Sequence, residues 1–211
     1  MKTLAIDFST DRRAVHLNFG TRGPKTICQF NRKVGALALI ETVFEKAGAE
    51  RNELDRIVLG LGPGSYTGIR SSIALAQGWL LGTDVQLYGV SSEEAIARSS
   101  DHEGEFLVVS DAQRGEFYVR RYQRSGGELT ALSDLKIDLR ESVDTVAKTG
   151  VRLLGPEVVK QFGGGDIVHP EPSRLLDSIP NDSKPMAGEG LEPICLRIPE
   201  FKKAPPARVI D

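Results

Sequence analysis

Ile57 to Leu61 is an apolar run that ends abruptly in Gly62-Pro63-Gly64-Ser65-Tyr66-Thr67-Gly68-Ile69-Arg70, after which Ser71 to Thr83 contains no charged residue. No other stretch limits the fold as much. A short apolar run, a glycine-proline-glycine turn and a helical pattern read as a buried strand, a tight loop and a buried helix. Gly62 and Gly64 permit backbone angles and close approaches that a side chain would block, and Pro63 fixes the turn. Ser65 or Thr67 is placed to cap the helix by accepting its free N–H groups. Such a loop either holds an anion at the helix start or simply turns a corner. A helix without charge is expected to be buried on all sides, within this chain or against a partner. The small residues Ser71, Ser72, Ala74, Ala76 and Gly78 would admit another helix closely, with Trp79 as an anchor.

Upstream, Thr3 to Phe8, Ala14 to Phe19 and Thr26 to Phe30 read as strands, and the Gly20-Thr21-Arg22-Gly23-Pro24 punctuation predicts antiparallel hairpins. From Val34 to Ala47 the period becomes helical, with Leu37, Ile40, Phe44 and Ala47 on one stripe and Ala36, Leu39 and Val43 beside it. That face is wider than one contact with a sheet requires, so a second helix is expected on it. Beyond the central strand (56–61) and helix (68–82) come a strand at 86–90 and a helix begun by Ser91 or Ser92. Glu93 and Glu94 in its first turn suit the helix dipole. Three strands, helix, strand, helix, strand, helix is the order of the ribonuclease-H-like unit repeated in the actin, sugar-kinase and Hsp70 superfamily. The expected architecture is therefore α/β: an actin-like, two-lobed fold with mixed sheets flanked by helices.

The patch Asp101-His102-Glu103-Gly104-Glu105 marks the expected division into an N-terminal ribonuclease-H-like lobe, 1–103, and a smaller degenerate lobe, 104–211. In the second half, strands at 106–110 and 116–122 flank the turn Asp111-Ala112-Gln113-Arg114-Gly115, in which Asp111 and Arg114 either pair or face a partner. A strand at 135–139, a helix at 142–148, a strand at 151–154 and scattered helical pieces follow. Pro193, Pro199, Pro205 and Pro206 favour extended chain from Glu192 to Arg208. No internal repeat stands out, although a degenerate second copy of the first unit fits the second half.

Charge excludes one class of function. The 211 residues carry 27 basic against 29 acidic side chains, so a nucleic-acid-binding role for the whole surface is ruled out. The start, Met1-Lys2-Thr3-Leu4-Ala5-Ile6-Asp7, meets an aspartate before a signal-peptide core can form, and no apolar run reaches membrane-spanning length. Cys28 and Cys195 lie in apolar contexts without metal-ligand spacing, which fits reduced thiols and a cytoplasmic life.

The chemistry-bearing motifs are sparse. The glycine loop lacks the Lys-Ser/Thr of a Walker A sequence and fails GxGxxG, since Thr67 stands three residues after Gly64. Ser65 is not in a Gly-x-Ser-x-Gly elbow. His16, His102 and His169 are isolated, so no metal centre is expected from this chain. Asp7, beside Ser9 and Thr10, closes the first strand, where an actin-like nucleotide-splitting protein has a phosphate loop and a metal-positioning carboxylate. The same Asp can instead accept turn N–H groups.

Gly62-Pro63-Gly64-Ser65-Tyr66-Thr67-Gly68-Ile69-Arg70 resembles the signature of the bacterial TsaB (YeaZ) family. Leu4-Ala5-Ile6-Asp7-Phe8-Ser9-Thr10, Tyr88-Gly89-Val90-Ser91-Ser92, Asp111-Ala112-Gln113-Arg114-Gly115-Glu116-Phe117-Tyr118 and Glu192-Pro193-Ile194-Cys195-Leu196-Arg197 are also similar to that family, in order along nearly the whole chain. The resemblance implies a non-catalytic subunit for threonylcarbamoyladenosine formation in tRNA. Such a subunit joins a metal-carrying TsaD catalytic subunit through helices of its first lobe, and a TsaE ATPase joins the pair. On that basis partner contacts are expected at Leu37, Ile40, Phe44, Ile69, Ile73, Ala74, Gly78 and Trp79, with a homodimer when TsaD is absent. No cofactor of its own is implied, but ATP or ADP near the partner interface would meet Asp7, Ser9, Gly62, Gly64, Ser65 and Thr67. tRNA would be reached only through the complex. The alternative is an actin-like ATP-dependent enzyme or M22-type glycopeptidase using Asp7 and the glycine loop.

Overall fold

The computed structural model describes residues 1–20, 23–29, 34–180 and 182–196. The first sheet is built from β1 (Thr3–Asp7), β2 (Arg13–Asn18), β3 (Pro24–Gln29), β4 (Arg56–Gly60) and β5 (Gln86–Val90). Its order is β3-β2-β1-β4-β5, with β1, β2 and β3 joined antiparallel and β1, β4 and β5 parallel. The parallel connections pass through α1 (Ala36–Ala47) and α2 (Tyr66–Leu80), as a crossover between parallel strands requires. β1 lies at the centre and all five of its residues are buried, because helices cover both faces of the sheet. Leu4 and Ile6 point into the cluster under α1 and α2, whereas Ala5 points to the opposite face.

The second sheet repeats this plan. It comprises β6 (Gly104–Asp111), β7 (Glu116–Ser125), β8 (Glu128–Ala131), β9 (Lys136–Leu139), β10 (Arg152–Gly155) and β11 (Asp166–Ile167). Its order is β11-β10-β6-β7-β8, with β9 also paired to β7. β6 and β7 form the antiparallel hairpin, and β10 and β11 run parallel beside β6. Central strand, hairpin partner, outer strand, then two parallel strands on the far side is the β1-to-β5 plan again. The second half, in which no repeat stands out from the sequence, thus holds a degenerate copy of the first unit, and the chain forms two mixed sheets flanked by helices.

α3 (Ser92–Arg98) lies between the sheets. Its Ala95 packs with Ala5, Val58 and Val90 of the first sheet, while Ile96 and Ala97 pack with Phe106, Val108, Tyr122 and Leu154 of the second. α4 (Arg140–Lys148) and α5 (Val158–Phe162) cover the outer face of the second sheet over Leu107, Val109, Phe117 and Val119. α6 (Pro172–Leu175) returns to β1, β2 and β4. Farther on, the Met186 N–H donates to Leu87 O at 2.8 Å and the Ile194 N–H donates to Leu61 O at 2.8 Å. The sequence-based division at 103/104 thus falls between the two sheets, and the chain after the second sheet packs back on the first. The expected extended tail lies outside the described residues from 197 onward, as do Phe30 and the turn residues Thr21 and Arg22. Residues 192–196 form no helix or strand.

Candidate functional site

The glycine loop is laid directly on the end of β1. A Cβ on Gly64 would lie 2.2 Å from Ser9 O, and one on Gly68 would lie 2.0 Å from Phe8 O. The Ser65 N–H donates to Ser9 O at 2.6 Å, so one of the amides that could have cradled an anion is spent inside the protein. Ser92 clamps the other side: its Oγ accepts from Gly62 N–H at 3.0 Å and its own N–H donates to Gly62 O at 2.8 Å. Gly62 and Gly64 have φ of 91° and 148°, which favour glycine. Of the two candidate caps, Ser65 holds the position, accepting from Gly68 N–H at 3.3 Å. Ser91 likewise caps α3 by accepting from Glu94 N–H. The corner-turning role of the loop therefore has a full physical account in backbone packing.

Asp7 sits beneath this loop, fully buried. Its Oδ1 accepts from Ser9 N–H at 2.9 Å and Ser9 Oγ at 2.6 Å, whereas Oδ2 meets no geometric hydrogen-bond partner. A Cβ on Gly60 would fall 1.9 Å from that oxygen, so β4 needs glycine at its end to pass the carboxyl group. Burial pushes the Asp7 pKa up, against the pull of the Ser9 and Ser92 hydroxyls and Arg12. Asp7 does not line the cleft in front of the loop.

That cleft, of about 640 Å³, opens between the C-terminal ends of β1 and β4 on one side and β6 and β10 on the other. Ligands of open α/β sheets bind at such strand ends, where the strand order reverses. Of the residues expected near a nucleotide, Ser9, Gly64, Ser65 and Thr67 line it, while Asp7 and Gly62 do not. The second half adds Ser110, Asp111, Arg114, Tyr118, Glu157 and Lys160, of which Ser110, Glu157 and Lys160 were missed from the sequence. A signal for them exists. Leu61-Gly62-Pro63 recurs as Leu154-Gly155-Pro156, each time where the parallel neighbour of the central strand gives way to a loop before a helix. Asp111 does not use Arg114 to fix its turn; its carboxylate accepts from Gln113 N–H at 2.7 Å and Gln113 Nε2 at 3.1 Å. Gln113, Arg114 and Gly115 all have positive φ, 66°, 62° and 78°. Glu157 has a raised pKa, first through burial and then through the negative charges of Asp111 and Asp11.

The helices of the first lobe remove one of the two expected covers for α2, that by this chain alone. α2 is not buried on all sides: Tyr66, Ala74, Gln77 and Gly78 are exposed and the following Leu81 is 91% exposed. An uncharged helix need not be a covered one, because the sheet and α1 occupy only part of its circumference. Four of the expected partner residues, Ile40, Phe44, Ile69 and Ile73, belong instead to the core under the sheet. Their side chains face inward with Leu4, Ile6 and Leu59. Leu37, Ala74 and Gly78 are exposed, and Trp79 is half-buried, stacked on Phe44 with ring centroids 6.0 Å apart. What remains open is an uncharged strip from Ala74 through Gln77 and Gly78 to Leu81, preceded on the same helix by the exposed pair Tyr66 and Arg70; Leu37 on α1 is exposed as well.

Comparison with known proteins places this geometry. The model of the family described as "TsaD: tRNA N6-adenosine threonylcarbamoyltransferase" matches residues 14–162. The chain belongs to that family. Among its relatives are curated proteins that carry the TsaB name. It is 32% identical over 129 residues to the tRNA threonylcarbamoyladenosine biosynthesis protein TsaB of Escherichia coli, a match covering 59% of this chain and 56% of that one. The Bacillus subtilis protein of the same name is 32% identical over 136 residues, covering 61% of this chain and 58% of its own. The chain thus spans a little over half the length of these relatives in the matched region. A crystal structure from Pseudomonas aeruginosa, described as an uncharacterized protein with similarity to peptidase YEAZ, superposes with a TM-score of 0.77 at 22% identity. That superposition covers 93% of this chain and 99% of the other, and it establishes the shared fold. Among the described residues no helix is long and apolar enough to cross a membrane.

Proposed function

We infer that this chain is a TsaB-like, non-catalytic, cytoplasmic subunit for making threonylcarbamoyladenosine in tRNA, and that α2 with the start of α1 docks a TsaD-like catalytic subunit. The observation that carries this is the exposed, uncharged strip from Ala74 to Leu81 at the end of α2. Gly78 has nothing within 4 Å of where its Cβ would stand, so another helix can approach the backbone there. Leu81, Leu37 and Tyr66 add exposed apolar surface of the kind that interfaces cover. A TsaE-like ATPase joins the complex, tRNA is contacted through the complex, and ATP or ADP is bound near the partner interface rather than as a cofactor of this chain. In isolation the same strip pairs two copies of the chain. The full burial of Asp7, which does not line the cleft, supports a supporting rather than a catalytic role over a phosphotransferase or peptidase built on Asp7.

Ala74→Arg and Gly78→Arg test the docking surface. Both positions are exposed, so each variant is expected to keep the wild-type melting temperature while losing co-purification with the TsaD-like subunit and the tRNA modification that depends on it. Undiminished co-purification by both variants would remove α2 from the interface. Metal-dependent ATP turnover by the purified chain, abolished by Asp7→Asn, would establish the enzymatic alternative.

A further inference from the structure

The cleft between the sheets contains a buried hydroxyl that the fold does not use. Ser110, at the C-terminal end of β6, is 5% exposed and lines the cleft, yet its Oγ has no hydrogen-bond partner among the described residues. A buried hydroxyl left unpaired costs on the order of 1–3 kcal/mol, so its neighbours would ordinarily supply a partner. Every other demand of this kind on the first-lobe side of the cleft is met: Ser9 Oγ bonds Asp7, and Ser65 Oγ caps α2.

The charges around Ser110 indicate what completes it. Asp111 and Glu157 are half-buried, and Asp11 lines the same space from the first lobe. Asp11 and the cations in the lining, Arg114 and Lys160, are exposed, so Asp111 and Glu157 lie deeper than either cation. Asp111 and Asp11 each disfavour the charged form of Glu157, which is a cost that a bound cation relieves. A metal ion does not suit the cleft, because among the described residues no three His, Cys, Asp or Glu side chains are grouped to hold one. An ammonium group does suit it. It presents three donors and asks for hydroxyl and carboxylate acceptors, which Ser110, Asp111 and Glu157 supply. A polyphosphate would instead face the two half-buried carboxylates of Asp111 and Glu157, with only exposed cations to offset them.

We propose that the cleft is a binding site for a small ligand carrying a primary ammonium group, held by the unpaired Ser110 hydroxyl with Asp111 and Glu157. The site adjoins the docking strip at Tyr66, which lines the cleft, but Ser110, Asp111 and Glu157 all belong to the second lobe and the proposal does not depend on the strip. Its volume lies within the range of small-molecule sites, so the ligand can extend beyond the ammonium toward Thr10, Thr67 and Tyr118.

The test is an amide NMR titration of the full chain with putrescine and, separately, L-threonine as amine probes, and with magnesium–ADP as the competing chemistry. At least one amine is expected to give saturable shifts at Ser110, Asp111 and Glu157. Ser110→Ala should weaken that binding at least fivefold and Glu157→Gln at least tenfold, with unchanged melting temperatures. Should Glu157→Gln fail to fold, Asp111→Asn serves in its place, since Asn removes the charge and keeps one oxygen for the Gln113 N–H, giving up only the acceptor for Gln113 Nε2. Absence of saturable shifts with both amines overturns the proposal. So do shifts indifferent to these substitutions, or saturation of the cleft by magnesium–ADP with the amines inert.

Discussion

The two repeats leave the parallel neighbour of their central strand on the same tripeptide and then part company. In the first, Leu61-Gly62-Pro63 leads into Gly64-Ser65, the loop lies flat on β1, and a helix of 15 residues follows. In the second, Leu154-Gly155-Pro156 leads into Glu157, and the helix has only five residues. The first corner uses its polar groups internally, through Ser9, Ser65 and Ser92, and so becomes a rigid mount for α2. The second leaves a half-buried carboxylate and the unpaired Ser110 facing the cleft. One copy of the duplicated unit thus specialises in presenting a surface, and the other in lining a space. Both still need glycine where strand meets strand, since a Cβ on Gly155 would lie 2.0 Å from Val109 O.

The largest effect is expected from breaking the first corner. Gly64→Ala drives a methyl group into the backbone carbonyl of Ser9 at a φ unfavourable to alanine, and backbone cannot swing aside as a side chain can. Destabilisation of roughly 3 kcal/mol or more is expected by chemical denaturation. Gly155→Ala should cost about as much if the second corner is equally tight; a loss below about 1 kcal/mol would show that the degenerate copy yields.

Next comes the joint between the repeats. Glu93 of α3 is 1% exposed; its Oε2 accepts from Tyr122 Oη at 3.0 Å and lies 3.8 Å from Arg120 Nη1, both on β7. Burial raises the Glu93 pKa to about 7 from 4.5. The folded protein therefore holds this proton over a window in which the unfolded chain has lost it, and this contribution to stability falls as pH rises from 4.5 towards 7. The loss amounts to roughly 3 kcal/mol on the scale of about 1.4 kcal/mol per pKa unit. Glu93→Gln should flatten that dependence in denaturation measured across the window. An unchanged slope would place the titrating group elsewhere.

Smaller effects separate mount from surface. Ser65→Ala removes the α2 cap and should cost about 1 kcal/mol in thermal or urea unfolding. Gly78→Ala, on the open strip, should stabilise the chain by about 0.5–1 kcal/mol through helix propensity alone, because nothing stands within 4 Å. A destabilising Gly78→Ala would mean that the strip is already packed against something in the isolated protein.

Local patterns carried much of this in advance. The alternation in residues 3–8, the helical stripe of α1 and the glycine-proline loop announced their elements within two residues or so of the observed bounds. β8 and β11 were missed: Glu128–Ala131 is largely exposed and Asp166–Ile167 has only two residues, so neither holds an apolar period. The short α5 and α6 are likewise below the length at which a helical period can be read.

By itself, the sequence determined the α/β class, the order of the first repeat, the glycine corner and the family resemblance, because each rests on neighbours in the chain. Tertiary structure alone decided which side of α2 stays open, that Ile40, Phe44, Ile69 and Ile73 are core, and that Ser110 and Glu157 share a cleft with Ser9 and Gly64. Helical period says that a face is apolar without saying what covers it. A hydroxyl counts as unpaired only once residues a hundred positions apart have been brought to its side.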